Sequence, residues 1–347
     1  MRYRLPKEVR HLKKYSLKDI AILSGVSVAT VSRVINDNGR FSEETRQKVL
    51  KVIEETGYKM NYNAKSLRMN RSFSIGILVP DISNYFFSDV VQKIEEILFD
   101  KGYSTIICNT ARSQAKETAY LKMLEGKGVD GLVVISGAEA FDFDYSSNEK
   151  HIPYICIDRE PKTREDTVFI SSNHYQGAFE ATEELIHVGC KHPLIVMHGR
   201  KSTSTKERFN GFKDALKKNN ISFSSKKYLL TIDPDKHDLS QLIETHLAEN
   251  PEIDGIFCVN DSIALELMLI LRQLRKVIPK DIKIIGFDDT PAAKYSFPPL
   301  SSVKQHTEKI AEIAVSNLLN LIQHPNETNK LLIVPVSLIS RQSTREP

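Results

Sequence analysis

The stretch LKDIAILSGVSVATVSRVIN, residues 17–36, decides how the first part of this chain is read. SLKDIAILS fits a short amphipathic helix with Ser16 as its N-cap and Asp19 in the first turn. Gly25 and Val26 supply a tight turn, and a second helix begins at Ser27. Helical spacing places Val31, Val34 and Ile35 on one buried stripe of that helix. Val28, Ala29, Ser32 and Arg33 are then left facing outward. A solvated helix face is normally rich in Lys and Glu, so small aliphatic groups beside one arginine suit a different neighbour. Helix, glycine turn, helix is the helix-turn-helix arrangement, whose second helix enters the DNA major groove. A third helix is predicted from Ser42, where SEET reads as a capping box, through VLKVIEE to Gly57.

Charge points the same way. The chain carries 48 Lys+Arg against 44 Asp+Glu, a formal net of +4. Residues 1–71 hold sixteen basic and seven acidic side chains, while the other 276 residues hold 32 and 37. The basic excess therefore sits on the N-terminal fifth, and polyanions are the usual partner of such asymmetry. Apolar residues make up 41% of the 347, enough for a sizeable core, and the length suggests two or three domains. Residues 1–15 form a basic leader that lacks the apolar segment of a signal peptide. No run of about eighteen apolar residues occurs, so no membrane span is expected. Cys108, Cys156, Cys190 and Cys258 lie far apart without metal-ligand spacing, and three sit in apolar runs such as TIICN and GIFCVN. They read as buried small hydrophobes. The expectation is a cytoplasmic protein without metal or cofactor.

From Phe73 the texture changes to short β-rich runs alternating with helical patterns. SIGILVP precedes a helix at 85–100, YSTIICN one at 113–126, and VDGLVVIS, PYICID and TVFISSN follow. The rhythm repeats with helix 175–188, PLIVMHG, helix 205–219, KYLLT, helix 236–249, DGIFCVN, helix 261–275 and IKIIGFDD. Such alternation means parallel sheets covered by helices, and the number of strands predicts two α/β subdomains. Ligands of open α/β sheets bind outside the carboxyl ends of strands. Asp81, Asn109, Asp158, Arg159, Asn260 and Asp288 stand just after strands, and all are polar, as a cleft for a hydrophilic ligand requires. Between the two parts lies NYNAKSLRMNRS, residues 61–72, polar and basic. It reads as a linker or as a helix of about two turns, too short to be stable alone in water.

The chain resembles the lactose-repressor/galactose-repressor (LacI/GalR) family of bacterial transcription regulators from Ser16 to Thr344. The most specific motifs are LKDIAILSGVSVATVSRVIN followed by TRQKVLKVIEETGY, with later echoes in GVDGLVV, NDSIALE, IIGFDDT and LISRQST. The resemblance implies a helix-turn-helix domain at 16–60, a hinge helix at 61–72, and a periplasmic-binding-protein-like effector and dimerisation domain at 73–347. Val28 and Ala29 match base-reading positions, Thr30 and Ser32 match backbone-contacting ones, and Arg33 matches the base-reading arginine. Ser16, Ser27 and Asn36 complete the DNA-contact set. The chemistry agrees: Arg bonds bidentately to guanine, small apolar groups meet thymine methyls, and hydroxyls reach phosphates. In the hinge, Leu67 matches a leucine that wedges between base pairs from the minor groove, flanked by Ala64 and Arg68. Met60 stands where the family usually has proline before the hinge asparagine.

The large domain also resembles periplasmic sugar-binding proteins of the ribose type. Carried over, the effector positions are Phe86, Phe87, Asp158, Arg159, Arg208, Asn260, Asp288 and Gln305, with Asn109 added. Aromatic faces pack on a sugar's C–H surface, and the polar groups bond to its hydroxyls. Two arginines balanced by two aspartates favour a neutral polyol, a pentose first. Two positions depart from the ribose type: no aromatic residue occurs near Ile232–Asp233, and Ser172 replaces the aspartate that commonly precedes Asn173. The family implies a homodimer on near-palindromic double-stranded operator DNA. The expected function is a repressor of a sugar-utilisation operon, switched by that small ligand. Control by a phosphorylated sugar, a nucleobase or a protein corepressor is an alternative, and a sugar-transport component a distant one. No phosphate loop, nucleophile elbow or metal-ligand cluster is present, so an enzyme is not expected.

Overall fold

The computed structural model describes residues 15–58, 71–136, 141, 152–162, 167–199, 202–233, 238–324 and 330–345. The chain divides into two compact units, residues 1–70 and 71–347. In the smaller unit α1 (Leu17–Ser24), α2 (Val28–Ile35) and α3 (Glu43–Thr56) close over Ile20, Ala21, Val31, Val34 and Val49. Gly25 ends α1 in the left-handed region at φ 65°, where a side chain is disfavoured, and its N–H bonds back into the last turn. The complete capping box lies at Ser16: its hydroxyl receives the Asp19 N–H while Asp19 receives the Ser16 N–H at 2.7 Å. At Ser42 the residue three positions on is Thr45, whose N–H and hydroxyl meet the serine, so SEET forms a cap without the reciprocal carboxylate.

The larger unit contains two six-stranded sheets. The first has the order β11-β5-β4-β3-β1-β2 and is parallel throughout. Its strands are β1 (Ser74–Val79), β2 (Ser104–Asn109), β3 (Gly131–Ile135), β4 (Tyr154–Ile157), β5 (Val168–Ser172) and β11 (Lys330–Val334). The second has the order β12-β10-β9-β8-β6-β7, with β12 (Val336–Ile339) antiparallel to β10 (Ser301–Gln305). The others are β6 (Pro193–His198), β7 (Leu229–Ile232), β8 (Gly255–Cys258) and β9 (Lys283–Asp288). Both faces of the first sheet are covered, as parallel sheets require. Ile75 and Ile77 pack on one side with α4 (Tyr85–Asp100) and α12 (Thr307–Gln323). Leu78 packs on the other with Leu124 of α5 (Gln114–Gly126). The second sheet is flanked by α6 (His174–His187), α7 (Thr203–Lys218), α9 (Leu239–Glu249) and α10 (Asp261–Gln273). Two short helices, α8 (Ser225–Tyr228) and α11 (Pro291–Tyr295), complete the set among the described residues.

The chain passes between the two sheets at three places among the described residues: β5 to α6, β10 to α12, and β11 to β12. β10, α12, β11 and β12 return after IIGFDD and finish both sheets. Residues 341–345 then bury Ser343 and Thr344 completely against β9 and β10. All four cysteines are buried as free thiols. Residues 71–73 belong to the larger unit, where Ser72 and Phe73 donate to the Asp130 carboxylate at 2.8 and 2.9 Å. No helix among the described residues is long and apolar enough to cross a membrane.

Candidate nucleic-acid interface and effector site

In α2 the expected outward face is present with one modification. Ala29 and Arg33 are exposed, Thr30 and Ser32 half-buried, and Val31 and Val34 are core. Val28 is half-buried against that core rather than fully outward, because the short three-helix unit needs the packing of its first turn. Ser27 caps α2 by accepting the Thr30 N–H at 3.1 Å, and the two hydroxyls lie 2.9 Å apart. Asn36 folds back on the Ser32 carbonyl at 2.7 Å. Ser16 is exposed at the start of α1. The positive end of the α2 dipole, with the Ser27 and Thr30 hydroxyls beside it, suits phosphate oxygens. Ala64, Leu67, Arg68 and Met60 lie outside the described residues.

In the larger unit a line of buried polar side chains runs from one sheet to the other. It starts at Asp158, just past β4, which sits at φ 52° and is 3% exposed. Its Oδ1 receives the Ser171 hydroxyl at 2.8 Å, the Ser172 N–H at 3.1 Å and His174 Nε2 at 2.8 Å. His174 Nδ1 meets Arg208 of α7 at 3.2 and 3.4 Å. Arg208 also donates to the Val259 carbonyl, lies 3.7 Å above the Phe287 ring, and stands 3.9 Å from Asp288. Gln305, at the end of β10, donates to Asp288 at 2.7 Å. Burial pushes the Asp158 carboxyl up, but His174, the Ser171 hydroxyl and Arg208 outweigh it and hold the group below the ordinary value. Burial dominates at Asp288 and raises it to about 7, with Arg208 opposing and Asp261 assisting.

A second layer fixes the Asp288 corner. Asp288 and Asp289 both have positive φ, 113° and 53°. Asp261, fully buried at the start of α10, receives the Thr290 N–H at 2.7 Å and the Ser302 hydroxyl at 2.6 Å, and Ser302 in turn receives the Asp289 N–H at 3.0 Å. A Cβ at Gly286 would collide with the Asp261 carboxylate, so glycine is required there. Arg341 from the closing segment clamps Asp289 at 2.6 Å. Sequence reading did not single out His174, Asp261 or Arg341 for this site.

The remaining expected residues are distributed as follows. Arg159 does not join the line: it forms a buried bidentate pair with Glu117 of α5 and lies 5.0 Å over the Phe141 ring. Phe86 and Phe87 are buried in the first core, with Phe86 also reaching a cleft. Asn260 caps α10 through Oδ1 and places its amide 3.3 Å from His198 Nε2. Asn109 ends β2. Its Oδ1, Ser172 Oγ and Gln305 Oε1 are buried oxygens without a hydrogen-bond partner. Buried polar atoms are otherwise nearly always paired, and of these three residues Gln305 also lines a cleft. The cleft, about 810 Å³, is lined by Phe86, Asp288, Gln305 and Arg341 among others, a volume within the usual range of ligand sites. It opens on the Asp288 end of the line.

Comparison with known proteins agrees with this architecture. Residues 16–61 match the model of bacterial regulatory proteins of the lacI family, and residues 182–344 that of a periplasmic binding protein-like domain. The sucrose operon repressor of Streptococcus mutans is 36% identical over 94% of this chain and 98% of its own. The ribose operon repressor of Halalkalibacterium halodurans is 31% identical over 95% and 97%. The lac repressor dimer bound to operator and the anti-inducer ONPF superimposes with a TM-score of 0.80 at 24% identity, covering 96% of this chain and 99% of that one. The chain belongs to the lacI family of bacterial regulatory proteins: a DNA-binding transcription regulator with a periplasmic-binding-protein-like effector domain.

Proposed function

We propose that this regulator represses a sugar-utilisation operon in the cytoplasm and that a neutral sugar, a pentose such as ribose first, is its effector. The observation that carries the effector class is the charge and polarity of the buried line. It has two aspartates to one arginine, and the N–H groups of that arginine face His174, the Val259 carbonyl and Asp288. The second arginine of the sequence-based set is neutralised by Glu117. Among the described residues, buried oxygens of Asn109, Ser172 and Gln305 stand without a partner. The Asn109 and Gln305 oxygens are acceptors only, which suits hydroxyl donors and not the acceptor-only oxygens of a phosphate dianion. The relatives named ribose and sucrose operon repressors support the same class.

On the DNA side, Val28, Ala29 and Arg33 read base edges, while Ser16, Ser27, Thr30, Ser32 and Asn36 serve the phosphate backbone. Ala64, Leu67 and Arg68 act from the hinge. A homodimer places two such units on a near-palindromic operator. The effector favours one arrangement of the two sheets, and that preference sets the affinity for DNA. The test is selection of duplexes from a random library, then anisotropy titration of the selected DNA with and without ribose, sucrose, ribose 5-phosphate or hypoxanthine. A near-palindromic site whose affinity changes with a neutral sugar is the expected result. A response to the phosphate ester or the base alone would overturn the effector class, and absence of sequence preference would overturn the operator reading.

A further inference from the structure

We propose that His174 is a positioning residue of the effector site: neutral and protonated on Nε2, it ties Asp158 of the first sheet to Arg208 of the second and fixes how both face a ligand. The inference rests on reading the buried polar line as the effector site. His174 begins α6, two residues past the end of β5, where the chain first crosses between the sheets. One ring nitrogen is committed to each side: Nε2 to Asp158 at 2.8 Å, Nδ1 to Arg208 at 3.2 and 3.4 Å.

The chemistry of the partners assigns the proton. A guanidinium has only donors and an ionised carboxylate only acceptors. Nδ1 must therefore accept and Nε2 must donate, which leaves the ring with one proton and no net charge. A second proton, on Nδ1, would point at a cation. The groups facing the ring are Asp158 from the β4 end, Arg208 and Glu207 from α7, and the Phe287 ring of β9 at 5.8 Å. Burial acts most strongly and disfavours the charged ring. Asp158 and Glu207 favour it, Arg208 opposes it, and the net places His174 below the ordinary histidine value. The imidazole is thus a rigid link of fixed polarity between an anion and a cation that belong to different sheets. It holds the guanidinium against Phe287 and Asp288, and it keeps the Asp158 carboxylate turned to Ser171 and Ser172.

Two measurements on the full-length protein test this. The first is a long-range 1H–15N correlation on histidine-labelled protein, with His174→Gln identifying the resonance. The expected pattern is the neutral Nε2–H tautomer, unchanged from pH 8 to pH 5.5. An Nδ1–H tautomer, a mixture, or protonation near the ordinary value of about 6.5 would overturn the assignment. The second is calorimetric titration with ribose. His174→Leu is expected to weaken binding tenfold or more, and His174→Gln, which keeps one donor and one acceptor, to recover most of the loss. Equal binding by His174→Leu and wild type would contradict the positioning role. A wild type that ignores ribose counts against the proposed effector, and the tautomer measurement then decides the His174 inference alone. It also decides if His174→Leu does not fold.

Discussion

Arg159 and Glu117 face each other at 2.7 and 3.1 Å, a two-pronged ion pair buried between the end of β4 and helix α5. This pair engages an arginine that its place after a strand puts in the expected effector set. Replacing both members of a buried pair by apolar groups of similar size is often neutral, whereas removing one leaves an uncompensated charge. Glu117→Ala is therefore expected to destabilise the larger unit by about 3–5 kcal/mol. The double replacement Glu117→Leu with Arg159→Met should recover most of that. Calorimetric melting of the three proteins checks the ordering; a single variant as stable as wild type would show that Arg159 finds another partner.

Arg33 is exposed on α2, and its side chain runs beside Gly39. Arg33→Ala should weaken specific DNA binding by about 1–3 kcal/mol and relax preference at one base pair per half-site. Binding to non-specific DNA should fall much less. Anisotropy titrations on the selected duplex and on single-base variants read both effects, and an unchanged preference would remove the base-reading role.

Asp288 gives a pH dependence with a definite sign. Its pKa is raised from 3.8 to about 7 in the folded protein, so the native state holds a proton that the unfolded chain releases between those values. Its contribution is fully present below pH about 4 and is lost as pH rises through about 7. Asp288→Asn keeps the shape without the buried charge. Its melting temperature relative to wild type should therefore increase from pH 5 to pH 8, while the response to sugar is lost. A constant difference across that range would show that Asp288 stays ionised throughout.

Asn109 carries a buried oxygen with no partner. Leaving such an atom unpaired costs about 1–3 kcal/mol, so Asn109→Leu should be at least as stable as wild type without ligand. With sugar the order should reverse: the variant should show less than half the ligand-induced rise in melting temperature. This is the exchange of stability for binding expected at functional sites.

Much of the architecture was legible because apolar strands alternate with amphipathic helices, and because SGVSVATVSRVIN has a face that suits DNA better than water. The final third was less so. β10 begins with Ser301 and Ser302, polar residues that are nevertheless fully buried because their hydroxyls bond to Asp261, Thr344 and the Arg341 carbonyl. Hydropathy cannot register a strand whose polar groups are satisfied by residues about 40 positions away. For the site, the polar residues after strands pointed to Asp158, Asp288 and Asn109. They did not reveal His174, whose neighbours Asp158 and Arg208 lie 16 and 34 positions away and meet it only through the crossing at β5. Nor did position after a strand distinguish Asp158 from Arg159. Successive residues point in opposite directions, so one enters the line and the other turns to α5.

The proposed function has the line from Asp158 to Gln305 receive a neutral sugar. It is tested most directly by thermal-shift titration of wild type and Asp288→Ala with ribose, other pentoses and hexoses, sucrose and their phosphate esters. A ligand that binds only the folded state raises the melting temperature as its concentration rises. The account predicts a concentration-dependent rise with at least one neutral sugar in wild type and none in the variant. A rise with phosphate esters alone, or the same rise in both proteins, would contradict it.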